Sequence, residues 1–244
     1  MPFTFSHPAI VLPLYRMSPR WLSMTGLIVG SIIPDFEYFI RMRLRSAISH
    51  SVPGLFMFDL PLGILVAFIF HNIVRNQLFD NSPQIVRRRF DVFTTFNWNS
   101  YFKTHWFGAI ISVLIGACSH LLWDGFTHGR LGSFINFFPV LGTDVLIFGN
   151  SIPIYRVLQH VSTVVGGLTV MIFFLRMPHA DITSSNGDRK YWPLVAVLTL
   201  IIVILRFIVR KDADLIGPVV VAGISATMIS LIVVSLVLRK KRIS

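Results

Sequence analysis

The stretch Ser119-His120-Leu121-Leu122-Trp123-Asp124-Gly125-Phe126-Thr127-His128 decides how this chain is organised. It closes a long apolar run that begins near Trp106, so it is predicted to form the last turns of a membrane-crossing helix. Residues four apart share one face of a helix, which places His120, Asp124 and His128 in one polar stripe. Two imidazoles and a carboxylate at this spacing can hold a divalent metal such as zinc. The alternative is that these side chains hydrogen-bond to neighbouring helices and only hold a bundle together.

The composition is that of an integral membrane protein. Of 244 residues, 54% are hydrophobic and only 14% are charged, and the apolar residues lie in long unbroken runs. The formal net charge of +11 would suggest nucleic acid in a soluble protein. Here the basic residues flank apolar runs, where they orient the chain and attract anionic lipid headgroups, so we expect no nucleic-acid partner. The single cysteine excludes an intramolecular disulfide, and we expect no cleavable signal peptide.

The hydropathy pattern predicts an all-α polytopic bundle with about five transmembrane helices. The predicted spans are 53–74, 106–126, 152–175, 191–208 and 215–238. An apolar segment at 21–33 is too short to cross a bilayer, which favours a re-entrant or interfacial helix. This pattern divides the chain into an N-terminal segment (1–52), a core bundle (53–176), a hydrophilic connector (177–190), and a C-terminal helix pair with a basic tail (191–244).

The basic residues also predict an orientation. The strongest basic runs lie at 87–89 and 239–242, and lysine and arginine concentrate on the cytoplasmic side of short loops. Five spans with a cytoplasmic C-terminus also place the 75–103 loop and the 177–190 connector in the cytoplasm. The N-terminal segment and the 129–151 loop then lie outside, although the arginines at 16, 20, 41, 43 and 45 argue the other way.

This topology brings ionisable groups from separate segments to one face of the membrane, whichever way the chain is oriented. The groups that meet there are His7, Asp35, His50, Asp59, Asp124, His128 and His160, with His120 a turn or two deeper. By contrast, His71, His105 and His179 fall at the opposite face and are predicted to be bystanders. Convergence of so many groups favours a metal site over packing alone.

Several motifs carry a resemblance to known families. The Pro34-Asp35 step, the His50-Ser51 pair and His120-x3-Asp124 together resemble the bacterial inner-membrane metal-dependent hydrolases. The segments Thr4-Phe5-Ser6-His7-Pro8, Gly30-Ser31-Ile32-Ile33-Pro34-Asp35-Phe36-Glu37-Tyr38 and Gln159-His160-x-Ser162-Thr163 more closely resemble an uncharacterised bacterial family of polytopic membrane proteins. The His-x3-Asp helix is also distantly similar to the zinc-dependent phospholipase C group. The resemblance covers about the first two-thirds of the chain. Residues 46–49 lack the histidine-arginine pair that often precedes the His-Ser motif, which leaves the number of metals open.

The resemblance implies a ligand set and a class of reaction. The implied metal ligands are His7, Asp35, His50, His120 and Asp124, with His128 and His160 as candidates for a second metal or for support of the ligands. The implied cofactor is a divalent metal, zinc first, with manganese or iron as alternatives. The implied location is the bacterial inner membrane, and the orientation predicted from the basic residues places the site on the extracytoplasmic face.

A metal-activated water could then attack a phosphoester, with Glu37 or Asp59 as general base. A site at the membrane surface suits a lipid-linked substrate, and membrane lipid is the expected partner. Two alternatives remain open at this level: a structural metal site without catalysis, and a metal-ion or proton transporter.

Overall fold

The computed structural model describes residues 4–18, 20–129, 133–180, 187–210 and 216–239, and its architecture is helical. Helices make up 77% of the structure, which confirms the predicted all-α polytopic bundle. The longer helices are α1 (Pro8–Met17), α2 (Met24–Ile32), α3 (Phe36–Arg41), α4 (Val52–Asp80), α5 (Gln84–Phe90), α6 (Trp98–Thr127), α7 (Ile154–Leu175), α8 (Tyr191–Val209) and α9 (Ile216–Val237). Single 3₁₀ turns lie at Thr4–Ser6, Ile33–Asp35, Asp91–Phe93, Phe134–Asn136 and Pro139–Gly142.

The five helices α4, α6, α7, α8 and α9 are each long and apolar enough to cross a membrane. They match the five predicted spans, but α4 and α6 extend well beyond the apolar runs. Two π-helical turns, Leu55–Asp59 and Phe70–Val74, lie within α4. The long helix α6 is kinked at His105, where φ is −124° and ψ is 26°. Polar residues therefore continue both helices past the ends of their membrane-length segments.

The N-terminal helices are too short to cross a membrane. Helix α1 has 10 residues and α2 has 9, and at about 1.5 Å per residue neither approaches the ~30 Å of a hydrocarbon core. Helix α1 begins with Pro8 at its first position, where a missing N–H costs nothing. The non-spanning interpretation of segment 21–33 therefore agrees with the length of α2.

A two-stranded hairpin lies between α6 and α7, in the predicted 129–151 loop and the first two residues of the predicted span 152–175. Strand β1 (Asp144–Ile147) pairs antiparallel with β2 (Asn150–Pro153), with Asp144 opposite Pro153. The turn places both Phe148 and Gly149 at positive φ. The hairpin is thus a regular element on the side of the bundle where α6 ends.

The chain forms two compact units that each draw on separate segments. The first unit comprises residues 1–35, 48–64 and 105–176, and the second comprises residues 36–47, 65–104 and 177–244. In the first, α1 packs against α2 and α7. In the second, α8 packs along α9 around Tyr191, Val195 and Val234, and α9 also packs against α3.

Within the first unit, α2 lies in very close contact with α6. A Cβ added at Gly30 would come within 2.2 Å of the Val113 carbonyl oxygen, and one at Gly116 within 2.5 Å of the Leu27 oxygen. Small residues permit such backbone approach between helices in a membrane. This contact fixes the position of the α2 C-terminus beside the last turns of α6.

Some predicted features fall outside the described residues. These are residues 1–3 of the N-terminal segment, residues 130–132 of the predicted 129–151 loop, residues 181–186 of the connector, residue 215 at the start of the last predicted span, and the basic tail from residue 240 onward.

Candidate metal centre

His120 and Asp124 of the predicted polar stripe lie on α6 and face the inside of the first unit, whereas His128 follows directly after the end of that helix. His120 Nε2 lies 3.6 Å from Asp124 Oδ2 on the next helical turn. His120 is fully buried, and the side chain of Asp124 is 12% exposed. An imidazole and a carboxylate at this depth require partners, and the N-terminal segment supplies them.

Three further side chains converge on this pair from the N-terminal part of the chain. His7 immediately precedes α1, and its Nε2 lies 3.4 Å from Asp124 Oδ1. Asp35 ends the 3₁₀ turn after α2, and its Oδ1 lies 3.6 Å from His120 Nε2. His50 precedes α4, and its Nε2 lies 3.5 Å from Asp35 Oδ1 and 3.6 Å from Asp124 Oδ2. The structure therefore brings together all five residues that the resemblance implied as ligands.

Local structure holds each of these three residues in place. The hydroxyl of Ser6 donates to the Thr163 carbonyl on α7 at 3.0 Å, which anchors the turn before His7. The Ile33–Asp35 turn follows directly from α2, whose packing on α6 is described above. The side chain of Ser51 accepts from the Gly54 amide at 3.1 Å and caps α4, with His50 just before the cap.

The separations between the ligand atoms suit a shared cation better than direct hydrogen bonds. Values of 3.4–3.6 Å are long for charge-assisted hydrogen bonds, which are about 2.7–2.9 Å. Donor atoms on a tetrahedron with zinc bonds of about 2.0–2.1 Å are about 3.3–3.4 Å apart. Two groups of three have all their ligand atoms within 4.8 Å of one another: His7, Asp35 and His120, and His50, His120 and Asp124. Both contain His120, so the donor set fits a divalent metal centred on this residue.

A second layer of contacts orients the ligand atoms inward. The Nδ1 of His120 lies 2.8 Å from the Ser31 carbonyl, and the Nδ1 of His7 lies 3.2 Å from the Thr4 carbonyl. A carbonyl only accepts, so each Nδ1 carries a proton, and the neutral form of each imidazole then presents its lone pair at Nε2. The Thr4 hydroxyl donates to Asp35 Oδ2 at 2.5 Å, which leaves Oδ1 facing the cluster. Such contacts to the second nitrogen or oxygen are typical of metal ligands.

Two buried polar atoms are left for a partner that the protein itself does not provide. Among the described residues, Asp35 Oδ1 and His120 Nε2 have no hydrogen-bond partner, and both are shielded from solvent. Such atoms are costly in a folded protein. A metal bound between them would satisfy both, so the residues present fit a divalent cation.

The electrostatics of the cluster also favour a cation. Burial alone would raise the pKa of the Asp35 carboxyl, but the imidazoles of His120 and His50 more than offset it and hold that pKa well below its usual range. Burial lowers the pKa of His7, and the stacked His120 ring, with its centroid 3.9 Å away, lowers it further. Asp35 is therefore ionised and His7 neutral at pH 7. Burial alone would lower the pKa of His50, but the negative charges of the Asp124 and Asp35 carboxylates beside its Nε2 raise that pKa, as they would stabilise any cation placed there.

His128 lies at the edge of the cluster. Its Nδ1 is 3.4 Å from Asp124 Oδ1 and 3.2 Å from both the Asp124 carbonyl and the Thr127 hydroxyl. It contacts a ligand and is absent from both groups of converging ligand atoms. This position suits the predicted role in supporting a ligand.

The structure does not bring the remaining predicted residues into the cluster. His160 is exposed on α7 and belongs to neither group of converging ligand atoms. Glu37 belongs to the second unit, where its carboxylate accepts from Arg41 at 2.8 Å and from the Ala47 amide at 2.9 Å. Asp59 is fully buried in the π-helical turn of α4, which packs against the Ile33–Asp35 turn. Of the two predicted general bases, only Asp59 shares a unit with the cluster.

Sequence reasoning missed Thr4 and Ser31. Ser31 acts through its backbone carbonyl, which any residue would supply, so its identity carries no signal. The usable signal was Gly26-x3-Gly30, a spacing typical of close helix contact in membranes, which predicts that α2 lies against another helix.

Together, the five apolar helices and the buried cluster define an integral membrane helix bundle with a candidate metal centre. The chain belongs to the family described as a domain of unknown function, DUF4184, whose model matches residues 1–238. No curated protein matches the chain, and neither does any solved structure.

Proposed function

We propose that this protein is a membrane-embedded, metal-dependent hydrolase that acts on a phosphoester of a lipid or lipid-linked substrate. The observation that carries the proposal is the convergence of imidazole and carboxylate atoms at 3.4–3.6 Å around His120. His7, Asp35, His50, His120 and Asp124 would hold the metal. When bound, a divalent metal such as zinc lowers the pKa of a water ligand toward neutrality and stabilises charge on phosphoryl oxygens.

The exposure of the cluster supports a catalytic site over a purely structural one. A structural metal has a closed shell of protein ligands, whereas a catalytic metal keeps a position for water. His7, Asp35 and His120 are buried, but the side chains of His50 and Asp124 are 19% and 12% exposed. One side of the cluster is thus accessible from outside the protein. Of the two predicted general bases, Asp59 is the one retained in this proposal, because its π-helical turn packs against the Ile33–Asp35 turn that carries a ligand.

The location of the cluster supports a lipid-linked substrate. His120 and Asp124 lie in the final turns of a membrane-spanning helix, so the site is near one surface of the bilayer. The bilayer holds the phosphate headgroups of its lipids at that depth, whereas a water-soluble substrate would have to reach the site from the aqueous phase. The proposed setting is the extracytoplasmic face of a bacterial inner membrane.

The first experiment measures metal in the detergent-purified protein by elemental analysis. The wild type and a His160→Ala control should hold stoichiometric zinc, manganese or iron, and a His120→Ala, Asp124→Ala double variant should lose it. The loaded protein is then screened against phosphomonoesters, phosphodiesters, phospholipids and polyprenyl phosphates. Absence of metal from the wild type would overturn the proposal. If the protein binds metal but hydrolyses none of these substrate classes, the metal centre would be structural and the protein would not be a hydrolase.

A further inference from the structure

A second cluster of charged groups lies in the second unit, at one end of the spans. Helix α5 and the connector that follows α7 enclose a cleft of about 380 Å³. The cleft is lined by Gln84, Ile85, Arg88, Arg89 and His179. The lining contains two guanidinium groups and an imidazole and no carboxylate, so its potential favours an anion.

The cleft is held together by hydrogen bonds within the described residues. The Ala180 amide donates to the Arg88 carbonyl at 2.9 Å, which ties the connector to α5 beside His179. Arg89 Nη1 donates to the Ile85 carbonyl at 3.1 Å, one turn earlier in the same helix. The Nε of Arg88 is buried and has no acceptor among the residues that the structure describes. A buried guanidinium donor of this kind matches an oxygen acceptor supplied by a ligand.

The topology places the cleft at a membrane surface. The loop after α4 and the connector after α7 lie on the same side of the bilayer, because two spans separate them. Helix α4 ends at Asp80, shortly before Gln84, and α7 ends at Leu175, shortly before His179. Lipid phosphates occupy this depth, and arginine clusters next to spanning helices bind anionic headgroups.

We propose that this cleft binds a phosphate anion, supplied by the headgroup of an anionic glycerophospholipid. The two arginines contact the phosphate oxygens, with Arg88 Nε as a buried donor and His179 at the rim. This site is separate from the candidate metal centre, and its test does not depend on hydrolase activity.

The experiment measures which lipid the full-length protein retains. Purified protein is exchanged into mixed micelles that contain equal amounts of phosphatidylglycerol and phosphatidylcholine with identical acyl chains, and bound lipid is identified by native mass spectrometry. The wild type should retain phosphatidylglycerol preferentially. An Arg88→Gln, Arg89→Gln variant should bind it about fivefold more weakly for each arginine lost. The matched control, Arg20→Gln with Arg45→Gln, removes two exposed arginines elsewhere and should keep the preference.

A second arm adds millimolar inorganic phosphate without anionic lipid and follows thermal unfolding. One outcome is that inorganic phosphate stabilises the wild type but not the Arg88→Gln, Arg89→Gln variant, while the wild type shows no lipid preference. The cleft would then bind a phosphate anion, but the anion would be free phosphate and not a lipid headgroup. An unchanged lipid preference in that variant, or an equal loss in the control, would overturn the proposal. If the double variant fails to fold, the single variants Arg88→Gln and Arg89→Gln replace it, and wild-type lipid binding in both would overturn the proposal equally.

Discussion

At the scale of single residues, Thr4 links two ligands of the candidate metal centre. Its hydroxyl donates to Asp35 Oδ2 at 2.5 Å, and its carbonyl lies 3.2 Å from His7 Nδ1. The carbonyl survives any substitution, so a change at this position isolates the contact to Asp35. We expect Thr4→Val to weaken metal binding about 10–100-fold, because Asp35 loses the bond that directs its second oxygen inward. Thr4→Ser keeps the hydroxyl and should bind metal nearly as well as the wild type.

Competition against a chelator of known affinity measures this effect. A suitable control is Thr169→Val, which makes the same chemical change on α7, where the hydroxyl donates to the Val165 carbonyl one turn earlier. Equal metal affinity in Thr4→Val and the wild type would show that Asp35 needs no such support. Equal loss in the Thr169→Val control would instead point to a general effect on the fold.

The sequence predicted the charged members of the site because their chemistry is visible in their side chains. His120 and Asp124 follow from helical spacing, and His7, Asp35 and His50 follow from topology together with the resemblance. The supporting contacts could not be predicted in the same way. The contact of the Ser31 carbonyl with His120 depends on how closely α2 packs against α6. His160 lies near the start of α7, at the predicted end of this span, but its side chain is exposed. Topology assigns a side chain to a face of the membrane and does not determine which way it points.

At the scale of helices, the contact between α2 and α6 sets the geometry of the site. A Cβ at Gly116 would lie 2.5 Å from the Leu27 carbonyl and 2.6 Å from the Ser31 amide, both of them backbone atoms that cannot move aside alone. We expect Gly116→Ala to force the helices apart, to lower the free energy of unfolding by about 1–3 kcal/mol and to reduce metal occupancy. Ser31 would then retreat from His120. Thermal unfolding in detergent and elemental analysis check the two effects.

The matched control is Gly223→Ala in α9. A Cβ there meets nothing within 4 Å, so the substitution adds a better helix former without a clash. Stability should stay constant or rise by about 0.5–1 kcal/mol. If Gly116→Ala were as stable as this control and bound as much metal, the close contact between α2 and α6 would not determine the geometry of the site.

The positions of the spanning helices could be predicted from their apolar runs, but the residues at which these helices begin and end could not. All five spans correspond to predicted apolar runs, since a bilayer requires about 20 apolar residues in each. The polar ends of α4 and α6 were not predicted, because helices continue in water wherever no residue stops them. The hairpin at Asp144–Pro153 was missed as well. It depends on positive φ at Phe148 and Gly149, and phenylalanine gives no indication of that conformation.

At the scale of the whole molecule, a membrane-crossing α7 would place the connector after it on the opposite side of the membrane from the hairpin before it. The cluster lies near the end of α6, so the hairpin shares its side. The basic residues of the 75–103 loop predict that the connector is cytoplasmic. The candidate metal centre would then face the extracytoplasmic side, where a hydrolase would meet lipid-linked substrates of the outer leaflet.

Cysteine labelling in intact cells tests this orientation directly. The native Cys118 is exposed, so a Cys118→Ser background comes first, followed by Asn150→Cys in the hairpin or His179→Cys in the connector. We expect a membrane-impermeant maleimide to label Asn150→Cys in intact cells, and His179→Cys only after permeabilisation. The reverse pattern would move the proposed hydrolase site to the cytoplasmic face and restrict its substrates to the inner leaflet. Labelling of both positions in intact cells would contradict the five-span topology, because one span separates them.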